Sequence, residues 1–287
     1  MERLKEGGRQ IAAGGSAGLV EVCIMHPLDL LKTRLQIGGG HYSGLMDCFR
    51  KTLHNEGFRG FYKGILPPIL AETPKRATKF FTFAQYKELF ASNTMPAWAS
   101  LSLAGLCSGL TEAVVVCPFE TVKVHMQADR SVKQHHTTFQ VGREIVKKQG
   151  FGTQGLYRGL DATLARNGVW NMFYFGIYHN IKDFIPSEKE RPTANIVYRL
   201  GLGFIAGTTA CLFNIPFDVA KSRIQGPQPP SGRIYHGCIQ SMVLVVRQEG
   251  VLILWRGLLP KAMRLGPGGA IMLFVYDTVY EFLKENT

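Results

Sequence analysis

The sequence has no CxxC pair, no GxGxxG fingerprint, no apolar core near its start and no run of about 20 residues that is apolar throughout. Each absence removes a class of function. Without paired spacing, the six cysteines (Cys23, Cys48, Cys107, Cys117, Cys211 and Cys238) read as reduced packing residues, neither a disulfide framework nor a zinc site. The glycine run at 266–269 follows no strand and lacks nucleotide-loop spacing, so it reads as close helix packing. His135 and His136 sit in a polar connection, and no nucleophile, base and orienting group stand together; the chain is not expected to be an enzyme, and no metal or cofactor is expected. The opening MERLKEGGRQ holds no signal core, which leaves any targeting information to be internal.

Acidic residues are scarce as well. The 21 carboxylates face 33 lysines and arginines, and the surplus of +12 points to anionic partners: nucleic acid, lipid heads or small anions. With 46% hydrophobic residues, a chain of this length fits one or two soluble domains or a compact membrane bundle.

What is present is a repeat. PLDLLK starts at Pro27, PFETVK at Pro118 and PFDVAK at Pro216. The pattern Px[DE]xx[KR] arises by chance roughly once in several chains of this size, so three evenly spaced copies mark duplication. A second mark keeps the same step: Tyr62-Lys63-Gly64, Tyr157-Arg158-Gly159 and Trp255-Arg256-Gly257. Three tandem units follow, over 1–93, 94–189 and 190–287.

Each unit holds two long apolar stretches, at 11–36 and 65–90, 98–126 and 160–185, and 196–225 and 258–283. Their lengths suit membrane-crossing helices, and their polar residues recur on one face, as in helices with lipid on one side and a wet interior on the other. The expected fold is an all-α membrane protein: six transmembrane helices in three two-helix repeats with pseudo-threefold symmetry. Shorter charged segments at 42–57, 137–150 and 236–250 are expected to be interfacial helices. Small residues four apart (Gly14 and Gly18, Gly105 and Gly109, Gly203 and Gly207) are expected to let helices approach closely. Because the cations recur in repeat register beside apolar spans, they do not read as a nucleic-acid surface.

After each proline an acid, a lysine and a glutamine share one helical face: Asp29, Lys32, Gln36; Glu120, Lys123, Gln127; Asp218, Lys221, Gln225. Proline kinks would bend these helices towards a common axis. A charge in mid-membrane costs about 2.5–3.5 kcal/mol, so its threefold recurrence needs compensation. The acids either pair within their own helix or pair across units in a ring, and the ring offers the compensation. Since Coulomb gain and desolvation nearly cancel in such pairs, a ring can open as well as close.

These residues resemble the signature of the mitochondrial carrier family, Px[DE]xx[KR] followed by [DE]Gxxxx[YWF][KR]G, three times over the whole chain. Unit two departs from it, with Gln149 in place of the acid and a spacer, FGTQGL, that is two residues longer. The resemblance implies a matrix gate in which Asp29 pairs Lys123, Glu120 pairs Lys221 and Asp218 pairs Lys32, braced by Gln36, Gln127 and Gln225. It also implies a cytoplasmic gate on the even-numbered helices. Here only Asp277 supplies an acid, facing Lys182, so that gate is expected to be weak and the empty protein to rest open to the cytoplasm.

Aligned on the aromatic-basic-glycine marks, Arg166 and Arg264 stand at equal depth, and the first unit offers Lys75 and Lys79 nearby. Separated cations suit a small anion with more than one carboxylate, and the Arg fork suits carboxylates in particular; the other reading is that arginines at this depth partner buried acids. The family's substrate contacts fall at these depths; Arg166-Asn167 resembles the pair used by its keto-acid and dicarboxylate members, and Glu72 lies in the same register. The stretches GFYKGILPPILAETPKRA, NIPFDVAKSRIQGPQP and MRLGPGGA narrow the resemblance further. It implies an inner-membrane antiporter exchanging 2-oxoadipate against 2-oxoglutarate, a monomer with small dicarboxylate substrates and bound cardiolipin as partners. Other readings are a carrier for another di- or tricarboxylate, or a proton or anion leak of the same fold.

Overall fold

The computed structural model describes residues 2–38, 41–91, 96–129, 137–181, 192–228 and 232–286. These form α-helices throughout, with one 3-10 turn at Val251–Trp255 and no strand among them. Three long helices, α1 (Glu2–Ile37), α4 (Ala97–Ala128) and α7 (Pro192–Gln225), run through Pro27, Pro118 and Pro216 respectively. Each is followed by a short helix, α2 (Leu45–Gly60), α5 (Thr138–Gln149) or α8 (Cys238–Glu249). A second long helix then completes each unit: α3 (Leu66–Leu89), α6 (Leu160–Ile181) and α9 (Leu258–Asn286).

The six long helices close a circle. α1 packs on α3 and α9, α3 on α4, α4 on α6, α6 on α7, and α7 on α9, while α1, α4 and α7 also touch one another. That mutual contact lies towards their C-terminal ends, beside the short helices, so the circle is pinched at one end. Two stretches, Ala99–Ala128 and Gly201–Gln225, are apolar enough to cross a membrane by composition alone. Charged residues line the inner faces of other long helices, among them Glu21, Asp29 and Lys32 on α1 and Glu72, Lys75 and Lys79 on α3. Their outer faces are apolar and exposed: Phe81 at 69% and Phe274 at 73%, with Leu19, Ile24, Leu70, Ile205, Phe213 and Met263. Polar inside and apolar outside is the reverse of a water-soluble domain.

Three small cores tie the short helices to the pinched end. Leu31, Leu35, Tyr42, Cys48 and Phe61 make the first. Val122, Ile145 and Leu156 make the second, and Val219, Ile224, Tyr235, Val245 and Leu254 belong to the third. In the second unit a capping box starts α5: the Thr137 hydroxyl accepts from Gln140 N, and Gln140 Oε1 accepts from Thr137 N at 2.9 Å. The longer spacer there folds into consecutive turns, with Tyr157 N donating to Gly152 O and Arg158 N to Gly155 O.

The aromatic-basic-glycine mark has a geometric cause. Gly64, Gly159 and Gly257 all have positive φ, at 70°, 73° and 87°. Each also lies against the long helix of the following unit, cyclically: Gly64 against Lys123 and Gln127, Gly159 against Ile224 and Gln225, Gly257 against Lys32 and Gln36. Only glycine meets both demands without strain. The cations of the marks turn inward onto backbone carbonyls, Lys63 onto Asp129 O and Arg158 onto Gln225 O.

The expectation for small residues holds unevenly. A Cβ at Gly109 would stand 2.9 Å from the Asn167 carbonyl oxygen on α6, a true backbone approach, whereas Gly14 and Gly203 meet nothing within 4 Å. Gly109→Ala is therefore expected to push α4 from α6 and lower the thermal unfolding midpoint in detergent, while Gly203→Ala leaves it unchanged. An unmoved midpoint for Gly109→Ala contradicts this packing.

Candidate functional site

Within the circle lies a cavity of about 450 Å³ whose floor is the pinched end. Its floor is built by the three acid-lysine pairs after the prolines. Lys123 Nζ stands 2.8 Å from Asp29 Oδ2, Lys221 Nζ 2.6 Å from Glu120 Oε2 and Lys32 Nζ 2.8 Å from Asp218 Oδ2. Every pair joins two different units, so the ring arrangement is present and the same-helix alternative is not.

The second long helices α6 and α9 add a second layer of cations to the same acids. Arg264 Nη1 lies 2.6 Å from Asp29 Oδ1, Arg166 Nη2 2.9 Å from Glu120 Oε1 and Lys261 Nζ 2.7 Å from Asp218 Oδ2. Three acids thus hold six cations, each acid gripped within 2.9 Å by two of them from two neighbouring helices. Arg264 also reaches Glu21 at 2.9 Å, and Arg166 Nε lies 3.8 Å from Asp218. The arginines expected to await a substrate are therefore engaged with the ring in this conformer. Their forks each span two carboxylates.

The glutamines do not brace the ring. Gln36 Oε1 accepts from Ser222 Oγ at 2.9 Å, Gln225 Nε2 donates towards Thr163 Oγ1 at 3.4 Å, and neither amide atom of Gln127 has a partner. The cause is position: one turn beyond the lysines, the glutamines pack against the glycines of the marks, Gln127 against Gly64, Gln225 against Gly159 and Gln36 against Gly257. What the glutamines do supply is backbone: Gln127 O accepts from Arg34 Nε and Gln36 O from Arg223 Nε.

Higher in the cavity, Lys75 and Lys79 line the wall with no carboxylate in ion-pair contact among the described residues, and Lys79 Nζ lies 5.3 Å from the centre of the Trp170 ring. Asn167 lines the same wall, and its Nδ2 is buried without a hydrogen-bond partner. Glu72 is bound by Arg76 at 2.5 Å, and Arg76 reaches on to Glu21 at 3.5 Å, so Glu72 positions a cation and does not stand free. Lys182 lies outside the described residues; its expected partner Asp277 is exposed on α9.

Four site residues escaped the sequence reading: Lys261, Glu21, Glu112 and Arg76. Three of them carried a usable signal. Glu21 and Glu112 each stand six residues before a repeat proline, and Lys261 lies one helical turn before Arg264. Among the described residues no group of three or more His, Cys, Asp or Glu is placed to hold a metal ion.

Among the described residues the cavity lining carries eight cations (Lys32, Lys75, Lys79, Lys123, Arg166, Lys221, Lys261 and Arg264) and six carboxylates (Glu21, Asp29, Glu72, Glu112, Glu120 and Asp218), and Arg76, paired to Glu72 and Glu21, adds a ninth cation. The site is net positive.

Sequence comparison places the chain among known proteins. The family described as mitochondrial carrier protein matches residues 5–94, 95–189 and 192–287. The mitochondrial 2-oxodicarboxylate carriers of Pongo abelii and Homo sapiens are each 55% identical to it over 290 residues, covering 99% of this chain and 97% of theirs. The carrier of the same name from Mus musculus is 54% identical over the same shares.

Proposed function

Because the chain belongs to the mitochondrial carrier family, we propose that it is an antiporter of the inner mitochondrial membrane that exchanges 2-oxodicarboxylates, 2-oxoadipate against 2-oxoglutarate. The observation that carries the substrate class is the charge of the cavity. With Arg76, which pairs Glu72 and Glu21, nine cations face six carboxylates among the described residues, a net positive site that suits a small anion with more than one carboxylate. Names of the relatives supply the 2-oxo group, and Arg166, Arg264, Lys75 and Lys79, with Asn167 beside them, supply donors for two carboxylates and a keto oxygen.

In this reading α1, α3, α4, α6, α7 and α9 cross the membrane, α2, α5 and α8 lie on the matrix side, and the exposed apolar outer faces meet lipid, cardiolipin included. The chain works as a monomer without a cofactor. The conformer described is closed at the matrix end by the ring of Asp29, Lys32, Glu120, Lys123, Asp218 and Lys221.

Exchange follows from competition for the same guanidinium groups. A bound dicarboxylate draws Arg166 from Glu120 and Arg264 from Asp29, leaving each of those acids with a lysine alone. The near-balance of Coulomb gain and desolvation in buried pairs then lets the ring open. An empty carrier lacks that help, so it crosses slowly and the flux requires a counter-substrate. A leak pathway has no such requirement.

The test is uptake of labelled 2-oxoglutarate into liposomes holding the purified protein. Internal 2-oxoadipate or 2-oxoglutarate is expected to support uptake, citrate little, and an empty lumen none. Equal uptake into empty vesicles would replace this reading with a leak, and a preference for internal citrate would replace it with a tricarboxylate carrier.

A further inference from the structure

Beyond the ring, at the same end of the molecule, the three repeats grip one another a second time. Arg34 Nε donates to Gln127 O at 3.1 Å and Lys63 Nζ to Asp129 O at 2.9 Å, from the first repeat to the second. Arg223 Nε donates to Gln36 O at 2.7 Å and Arg256 to Tyr42 O, from the third to the first. Arg158 Nη2 donates to Gln225 O at 2.9 Å and Gly226 O at 2.5 Å, and His125 Nδ1 lies 3.3 Å from Gln225 O, from the second to the third. Cations on the carbonyl ends of helices are favourable in themselves.

In two of the three repeats a carboxylate compensates these cations. Glu56 holds Arg34 through two contacts of 2.5 and 2.9 Å and lies 3.3 Å from Lys63. Glu249 holds Arg223 in the same bidentate way, at 2.5 and 2.9 Å. In the second repeat both members of that pair are exchanged: His125 stands where the others have Arg34 and Arg223, and Gln149 where they have Glu56 and Glu249.

Among the described residues Arg158, the counterpart of Lys63, is thereby left as a guanidinium only 2% exposed, with neutral oxygens as its partners and with Nε unbonded. The charged neighbour it feels is Arg233; burial and that second guanidinium lower its pKa to about 10, so it remains charged at neutral pH. Beside it opens a cavity of about 670 Å³, lined among others by His125, Lys148, Gln149, Arg158 and Arg233. Among the described residues its one acidic lining residue, Glu144, is taken by Lys148 at 2.6 Å. The preceding connection, 130–136, contributes no acid to the sequence.

We propose that this cavity is a second anion site, distinct from the transport cavity, which binds a phosphate-type oxyanion on Arg158 and Arg233. The anion takes the part that the Glu56 carboxylate plays for Lys63. Because Arg158 and α5 belong to the second repeat and Arg233 to the third, a bound anion ties the two together and holds this end shut.

The test uses the full-length protein purified in a zwitterionic detergent, with inorganic phosphate titrated at constant ionic strength against chloride. Wild type is expected to show a rise in unfolding midpoint and a calorimetric binding isotherm. Arg233→Gln, and separately the double variant His125→Arg with Gln149→Glu, which installs the ion pair of the other repeats, are expected to weaken phosphate binding by roughly tenfold or more. The same response to an anionic phospholipid but not to phosphate, lost in the same variants, supports the site and identifies a headgroup as the source. Phosphate binding that is absent from wild type along with any lipid response, or that survives in Arg233→Gln, overturns the proposal. Neither substitution touches the transport cavity, so these outcomes are separable from failure of the dicarboxylate reading.

Discussion

Asp218→Asn is expected to abolish exchange in liposomes and to lower the unfolding midpoint of the detergent-purified protein by several degrees. Its carboxylate carries more of the ring than either of the other two. Lys32 lies 2.8 Å away, Lys261 2.7 Å and Arg166 Nε 3.8 Å, and the side chain is 3% exposed. Asparagine keeps the shape and removes the charge, which leaves two ammonium groups and a guanidinium facing one another. Removing one partner of a buried pair costs about 3–5 kcal/mol, a large share of a typical total stability of about 5–15 kcal/mol. A change of that size also shifts the balance between closed and open ends by about a hundredfold or more, since each 1.4 kcal/mol is roughly a factor of ten. Asp47→Asn is the control: its pair with Lys51, at 2.9 Å on the surface of α2, lies outside the membrane-spanning helices, and its loss is expected to leave midpoint and exchange unchanged. If Asp218→Asn matches that control, the ring is not what holds this end together.

The inter-unit pairs were legible because three prolines at nearly equal spacing put Asp29, Glu120 and Asp218 at one depth, and symmetry then offers each acid a lysine from the next helix. The double occupancy of each acid was not. Arg264 crosses from the third repeat to Asp29 in the first, while Arg166 and Lys261 stay within their own repeats, so no single repeat-to-repeat alignment predicts the set. The glutamines Gln36, Gln127 and Gln225 share the helical face of the lysines one turn on, yet that turn carries them past the ring and against Gly257, Gly64 and Gly159, a contact that a single helix does not reveal. The exchange of His125 and Gln149 in the second repeat was half visible. Gln149 stood out against the family pattern, but its link to His125 appears only when Arg34 with Glu56, and Arg223 with Glu249, are seen in contact.

Arg264→Ala is expected to separate the two duties of the cavity floor. Exchange should fall to near the level of protein-free vesicles, as it should for Arg166→Ala, while the unfolding midpoint moves much less than in Asp218→Asn. The reason lies in what remains. Without Arg264, Asp29 keeps Lys123 at 2.8 Å and Glu21 keeps Arg76 at 3.5 Å, so neither carboxylate is stranded and the ring stays closed. What is lost is the planar fork that spans Asp29 and Glu21, the group that the proposed exchange offers to a substrate carboxylate. Arg264→Lys sharpens the point, because an ammonium restores the charge but not the bidentate geometry; it is expected to recover the midpoint and raise the substrate concentration needed for half-maximal exchange. Since Arg264 must leave Asp29 to take substrate, the same substitution should also slow the opening that substrate induces. Normal exchange in Arg264→Ala would remove the guanidinium from the transport path and leave it a ring partner only; a midpoint loss as large as that of Asp218→Asn would show that the two duties cannot be separated.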